Sequence, residues 1–443
     1  MRTRRGLQLV SRVARRQTSD HRQQTQALVS VELGSVVCPS VVCRPAGFET
    51  ASSFPGGERP ARQPCPHFPD CVGCALIGKP YGEQLRIKQQ RVHDACSTYP
   101  SLITAQIGAI VGSPKAFGYR NQAKLVARHT GRGLLLGIYK PGSHEVVDIH
   151  QCPVHHPLIG PVLDAVAQVV ERCAIPIYDE RTHTGALRYV VVRVSTWKKA
   201  VQVILVTADR NVPHMRDVVR ALLRVRGVVS VVQNVNADPG NVILSAQFQP
   251  LSRETALIER IGGLKLKTHP GAFVQANIPV ARKLYDHALR CASPTATDIA
   301  IDLYCGVGAL TFCLATAAKH VAGIEASAIA VADAKENIRL NGFHNVRFYC
   351  GDAAETLATV AGRLGRVDVL TLNPPRKGTD APTRAAIVAC VPRRIVYISC
   401  DPTTLARDLD WFAAHGYATE HVQPFDMLPQ TEHVECVATL QRQ

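Results

Sequence analysis

The chain has 443 residues, 46% of them hydrophobic and 19% charged, which is enough aliphatic material for two or three compact domains and excludes a disordered composition. No apolar run approaches about 18 residues, which argues against a membrane span. A net charge of +16 suits a polyanionic partner. Fifteen cysteines in so long a chain, without a signal peptide's apolar core, argue against a secreted disulfide scaffold and for a reducing cytoplasm.

In chain order, residues 1–64 form a basic arm and linker. Arg2, Arg4, Arg5, Arg12, Arg15 and Arg16 load its start, and Pro and Gly crowd its end, so it is expected to be poorly ordered. Residues 65–265 mix short apolar alternations at 189–194 and 200–206, expected strands, with helical patterns at 162–175 and 216–226. This predicts a central mixed α/β domain. From 266 to 443 the pattern is regular. Apolar runs at 299–303, 321–324, 346–349, 367–372 and 395–399 suit buried parallel strands, helical periodicity lies between them as at 329–340, and strands at 418–425 and 434–441 follow. Strands alternating with helices predict a doubly wound, Rossmann-like α/β domain.

Asp302-Leu303-Tyr304-Cys305-Gly306-Val307-Gly308 follows a predicted strand and opens a predicted helix. Glycines there let the backbone turn tightly against a ligand, although alone such a turn is weak evidence. Glu325 ends the next strand, where an acid can accept from both ribose hydroxyls of an adenosine cofactor. Asp352 follows the strand after that and is placed to meet an adenine edge. Asn373-Pro374-Pro375-Arg376 makes a rigid turn at the same cleft, an element that also occurs in amino-group methyltransferases.

Ser399-Cys400-Asp401-Pro402 ends the last parallel strand and precedes a helix. An isolated cysteine is more often an inert core thiol; at a strand carboxyl end beside a cofactor cleft, a nucleophile is the better reading. The helix dipole is expected to lower its pKa. A thiolate suits uracil methylation, because carbon 5 is a poor nucleophile until a thiolate adds at carbon 6. A base must then remove the carbon 5 proton so that the thiolate can leave. Glu435, flanked by Val434 and Cys436, is the candidate base, its apolar setting expected to raise its pKa; His433 is the rival.

Cys65, Cys71 and Cys74 precede a helical stretch, and Cys152 stands alone downstream. Four such thiolates could hold zinc or an iron–sulfur cluster, and the spacing leans only slightly to the cluster. Cys38, Cys43 and Cys96 are unassigned.

Together these motifs resemble, over about residues 65–443, the RNA uracil-C5 methyltransferase family, in its iron–sulfur-containing ribosomal RNA branch. Phe273-Val274-Gln275-Ala276-Asn277 resembles that family's F-x-Q-x-N element, 302–308 its D-L-F-C-G-x-G turn, and 399–405 its S-C-N-P-x-T-L element. The resemblance implies S-adenosylmethionine bound by Gln275, Tyr304, Glu325 and Asn373, with Cys400 as nucleophile and Glu435 as base. It also implies a [4Fe-4S] cluster on Cys65, Cys71, Cys74 and Cys152, and large-subunit (23S) ribosomal RNA as substrate, with no obligate protein partner. Ala309 stands where many members have Asn, and Asp401 where they have Asn, a charge expected to raise the thiol pKa. The branch's small N-terminal RNA-binding β-barrel is not recognisable, since residues 27–43 alternate Val but lack its strand count. The basic arm and Tyr119-Arg120-Asn121 are the substitutes, Tyr119 as a base-stacking ring. The competing functions are methylation of cytosine carbon 5 or an exocyclic amine, and a non-catalytic iron–sulfur RNA-binding protein.

Overall fold

A computed structural model describes residues 65–131 and 133–443, all within one unit that spans Pro60–Gln443. The expected basic arm, residues 1–64, with Cys38 and Cys43, lies outside the described residues.

Helix α1 (Tyr81–Ser97) and the short strand β1 (Gln106–Ile107) come first. Next are β2 (Gln122–Thr130), β3 (Gly133–Tyr139), β4 (Val146–Asp148), α2 (Ile159–Arg172), β5 (Leu187–Ser195), β6 (Ala200–Thr207), α3 (Met215–Leu222), β7 (Val228–Val235) and β8 (Phe248–Pro250). They form a seven-stranded sheet in the order β4-β3-β2-β5-β6-β7-β8. Helices α2 and α3 bury Val162, Val166, Val218 and Leu222 on one of its faces. A hairpin of β9 (Leu257–Ile261) and β10 (Leu264–Thr268) follows, and the expected boundary at 265 falls inside it.

The remaining chain is α4 (Ile278–Ala292), β11 (Ile299–Leu303), α5 (Ala309–Ala315), β12 (His320–Glu325), α6 (Ala328–Asn341), β13 (Val346–Cys350), α7 (Ala353–Leu364), β14 (Val369–Leu372), α8 (Ala381–Ala389), β15 (Arg394–Ser399), α9 (Pro402–Ala413), β16 (Tyr417–Phe425) and β17 (Glu435–Arg442). Its sheet runs β1-β16-β17-β15-β14-β11-β12-β13. Strands β11 to β15 pair in parallel, and β17 is antiparallel to both β15 and β16. Two apolar cores cover its faces, one built with Val280, Leu284 and Val331 of α4 and α6, the other with Val92, Leu357, Ile387 and Leu409 of α1, α7, α8 and α9. The sheet is therefore doubly wound. Its order reverses between β11 and β14, so their carboxyl ends open the crevice where ligands of such sheets bind.

The segment holding α1 and β1, expected in the central domain, packs on this second sheet instead. Lys88 of α1 is buried and donates to the buried Asp426 (2.5 Å) and to Leu428 O (2.9 Å). Tyr81 Oη donates to the same carboxylate (2.8 Å). Gln84 accepts from Gln430 N (2.9 Å) and donates to Gln430 Oε1 (2.9 Å). Arg91 donates to Glu432 O. One face of α1 thus fixes the 426–432 connection between β16 and β17. Among the described residues no helix is long and apolar enough to cross a membrane.

Breaking a buried ion pair strands one charge away from water. Lys88→Met is expected to destabilise the fold by about 3–5 kcal/mol, read as a lowered urea midpoint at unchanged slope. A loss within about 1 kcal/mol, the range of exposed pairs, would contradict this role.

Candidate active site

At the end of β11 the chain turns through three residues with positive φ: Tyr304 (57°), Gly306 (55°) and Gly308 (92°). A side chain at Gly308 would collide with Phe348 and Phe312, at 2.6 and 2.8 Å, so the glycine is needed for space as well as for φ. Tyr304 adopts a left-handed conformation without that freedom, a strain of the kind that collects at ligand sites. Glu325, ending β12, accepts from Gly306 N (3.0 Å) and Ser327 N (2.8 Å), so its carboxylate holds the glycine turn closed. Beneath the turn, buried Asp302 accepts from Thr311 and Thr371, each at 2.6 Å, and burial pushes its carboxyl up to about 6. Asn373 N reaches back to Leu303 O (3.3 Å).

These elements surround a pocket lined by Gln275, Tyr304, Gly306, Ala309 and Asn373, with exposed Phe273 at its side. Three of the four expected cofactor residues thus share a wall, and the fourth, Glu325, stands one hydrogen bond behind Gly306. Asp352, expected at an adenine edge, uses its Oδ1 to cap α7 through Ala354 N and Glu355 N.

The candidate nucleophile and candidate base are brought near each other by the pairing of β15 with β17. Ser399 of β15 pairs with Cys436 of β17, and Glu435 pairs with Phe425 of β16. Cys400 follows the end of that ladder and Glu435 precedes Cys436 in it, so the two lie close enough for the Glu435 charge to act on the thiol. Glu435 is only half-buried at the surface, yet desolvation pushes its carboxyl up to about 7, opposed by the Arg376 guanidinium.

The thiol differs from expectation. The pKa of Cys400 is raised, first by burial and next by the Glu435 charge; Arg376 lowers it by charge and by donating to the sulfur. Burial and the Glu435 charge outweigh the helix dipole, and the first amides of α9 are occupied by another group. Asp401 accepts from Thr403 N (2.9 Å) and Thr404 N (3.1 Å), capping that helix end. Asp401 therefore serves the cap that an Asn would serve.

Arg376 is the residue that the sequence reading missed as a participant. Thr404 Oγ1 donates to its carbonyl (3.0 Å), and its guanidinium also donates to His433 Nε2 (3.2 Å). The only signal was its place after Asn-Pro-Pro, which does not say which neighbour it faces. His433, the rival base, keeps much of its surface open, and partial desolvation of its ring, followed by the Arg376 charge, lowers its pKa.

Cys65, Cys71 and Cys74 lie in tight turns before α1, and Cys152 lies in a turn after β4, with its amide bonded to Ile149 O (3.0 Å). All four are free thiols, and Cys71, Cys74 and Cys152 feel the charge of other members of the group. Burial pushes Cys74 up to about 12, with further contributions from Cys152, Cys71 and Cys65. Cys152 and Cys71 are likewise raised, burial first. Among the described residues no three His, Cys, Asp or Glu side chains are arranged to hold a metal ion. Cys96 is buried apart from this group, in the core beneath α1. Leu76 N, two residues past Cys74, donates to Gln430 O (2.9 Å), joining the cysteine turns to the 426–432 connection. Tyr119 is 5% exposed and donates to Pro429 O (2.9 Å), so it is a core tether and not the expected base-stacking ring.

Residues 257–443 match the profile of the family described as tRNA (Uracil-5-)-methyltransferase. The chain is 43% identical to an uncharacterised RNA methyltransferase of Geobacter sulfurreducens, over 87% of this chain and 78% of that protein. It is 37% identical to one of Halalkalibacterium halodurans, over 85% and 83%. Among solved structures it resembles the Pyrococcus abyssi tRNA (uracil-54, C5)-methyltransferase in complex with S-adenosyl-L-homocysteine. The TM-score there is 0.67 at 25% identity, covering 84% of this chain and 86% of that one. On this agreement of sequence and fold, the chain belongs to the uracil-5 RNA methyltransferase family.

Proposed function

We propose that the chain transfers a methyl group from S-adenosylmethionine to carbon 5 of a uridine in RNA, with Cys400 as nucleophile and Glu435 as base. The observation that carries this reading is the closeness of Cys400 and Glu435 at the paired ends of β15 and β17, with Arg376 acting on both. Gln275, Tyr304, Glu325 and Asn373 are the residues to hold the methyl donor, which supplies an electrophilic sulfonium methyl.

The chain's own residues divide the work. The Arg376 guanidinium offsets burial of the Cys400 thiol and favours the thiolate that adds to carbon 6 of the uracil. That addition places negative charge on the ring, and carbon 5 becomes the nucleophile toward the methyl group. The Glu435 carboxylate, its basicity raised by desolvation, then removes the carbon 5 proton, and the thiolate leaves as the double bond reforms. A uridine within structured RNA must be extruded to reach the thiol.

Resemblance to the iron–sulfur branch supports large-subunit (23S) ribosomal RNA as the substrate and the cytoplasm as the place of action. For the [4Fe-4S] cluster, the fit rests on Cys65, Cys71, Cys74 and Cys152: four free thiols in neighbouring turns, three of them raised by burial and by the charge of the others. Thiolates of this kind would supply the four ligands that such a cluster takes. Bound there, the cluster would cross-link those turns, and no step of methyl transfer passes through it.

Fluorine at carbon 5 blocks proton removal, so 5-fluorouridine ribosomal RNA is expected to trap a covalent adduct with the wild-type chain. Cys400→Ala should give none and should lose turnover by at least about 100-fold; an adduct that persists would overturn the mechanism. Glu435 must be ionised to act, so turnover should fall as pH drops below about 7. The charge of Glu435 raises the Cys400 pKa, and that of Arg376 lowers it. The pH midpoint for iodoacetamide labelling of Cys400, followed by peptide mass spectrometry, should therefore move down in Glu435→Gln and up in Arg376→Gln; opposite shifts would contradict this electrostatic account. Anaerobic preparations should contain about four iron and four labile sulfide per chain, both lost in Cys74→Ser, and stoichiometric zinc without sulfide would overturn the cluster.

A further inference from the structure

Between β5 and β6 the chain turns through Thr196-Trp197-Lys198-Lys199, and Trp197, Lys198 and Lys199 are exposed. Trp197 is one of two tryptophans in the chain and keeps 36% of its surface open, although burying such a ring is strongly favourable. Lys198 Nζ lies 4.3 Å from the ring centroid. Lys199 carries a positive φ of 52°, and its carbonyl abuts Gly227, where a side chain would come within 3.2 Å. That contact brings exposed Arg226 beside the turn. Lys198, Lys199 and Arg226 have no ion-pair partner among the described residues, in a molecule where Lys88, Arg384 and Arg393 do.

The turn is rigidly mounted. Glu259 of β9, 4% exposed, accepts from Thr196 N (2.6 Å), Thr196 Oγ1 (3.0 Å) and Trp197 N (3.1 Å). Ser195 Oγ accepts from Lys198 N (3.2 Å) while donating to Ile258 O (2.7 Å). A buried carboxylate spent on these backbone amides fixes the backbone that carries the ring. Glu259 also lines the pocket shared by Gln275, Tyr304 and Asn373. The aromatic, basic turn is thus fastened to the wall of the reaction pocket.

An open indole flanked by unpaired cations matches the chemistry of single-stranded nucleic acid, in which bases stack on rings while phosphates meet Lys and Arg. We propose that the Thr196–Lys199 turn is a second RNA contact: Trp197 stacks on an unpaired base beside the target uridine, and Lys198, Lys199 and Arg226 hold the adjoining phosphates. The proposal rests on the RNA-methylating reading of the pocket and adds the site that receives the flanking strand. It places single-strand recognition on the central sheet, at the position of a fixed side chain.

Trp411→Phe leaves Trp197 as the sole tryptophan, so emission of that variant reports the turn alone. Titration with a short uridine-containing RNA hairpin is expected to quench it, less so at higher salt. Trp197→Ala should raise the KM for RNA about 10- to 100-fold, the cost of one lost stacked base, with S-adenosylhomocysteine affinity unchanged, and Trp197→Phe should restore most of it. The Lys198→Ala/Lys199→Ala double variant should lower the salt dependence of RNA binding by about two phosphate contacts. No emission change together with an unaltered KM in Trp197→Ala would overturn the proposal. If RNA quenches Trp197 in the Trp411→Phe variant but the wild-type chain methylates nothing, the reaction assignment fails and the platform stands.

Discussion

The antiparallel pairing of β17 against β15 is the constraint on which the site depends. Cys400 comes from a loop that follows a parallel strand, and Glu435 opens a strand 35 residues later in a chain of 443. Hydrogen-bonded register, Ser399 with Cys436, makes them neighbours. A slip of one residue would turn Glu435 to the opposite face and leave the thiol without its carboxylate. The same proximity sets the electrostatics: each group is desolvated, the carboxylate raises the thiol, and Arg376 is the cation that both require.

That register is held from outside the sheet. The connection between β16 and β17 is fastened by Lys88, Gln84 and Tyr81 of α1, by Leu76 just past the cysteine turns, and by Tyr119. A buried ion pair contributes little net stability against an apolar alternative, but its geometry is specific, and here it fixes a loop that leads into Glu435. The amino-terminal part of the described chain thereby joins the two sheets and the edge that carries Cys400 and Glu435.

Much of this was legible in sequence because it is local. Strand 299–303 is found where its apolar run predicted, and the glycine turn, the helix 329–340 and the strand ends before Cys400 lie within a residue or two of expectation. Periodicity and punctuation encode such features directly. What escaped depends on which distant groups meet. Arg376 sits in a recognisable turn, but its partnership with Cys400 and Glu435 is tertiary. Tyr119 looked available beside two polar residues, and only folding buries it. The thiol pKa was expected to fall with the helix dipole; burial and Glu435 outweigh it, while Asp401 consumes the helix end. The placement of α1 on the second sheet was equally hidden, because its buried positions include Gln84 and Lys88, which break an apolar stripe.

The central claim is that a single carboxylate removes the carbon 5 proton after Cys400 has added to the ring. Ribosomal RNA carrying tritium at carbon 5 of uridine tests it most directly. The account predicts one tritium released for each methyl group transferred by the wild-type chain, and, in Glu435→Gln, methyl transfer with the tritium retained in a covalent RNA adduct. Tritium release from Glu435→Gln at the wild-type rate would contradict it.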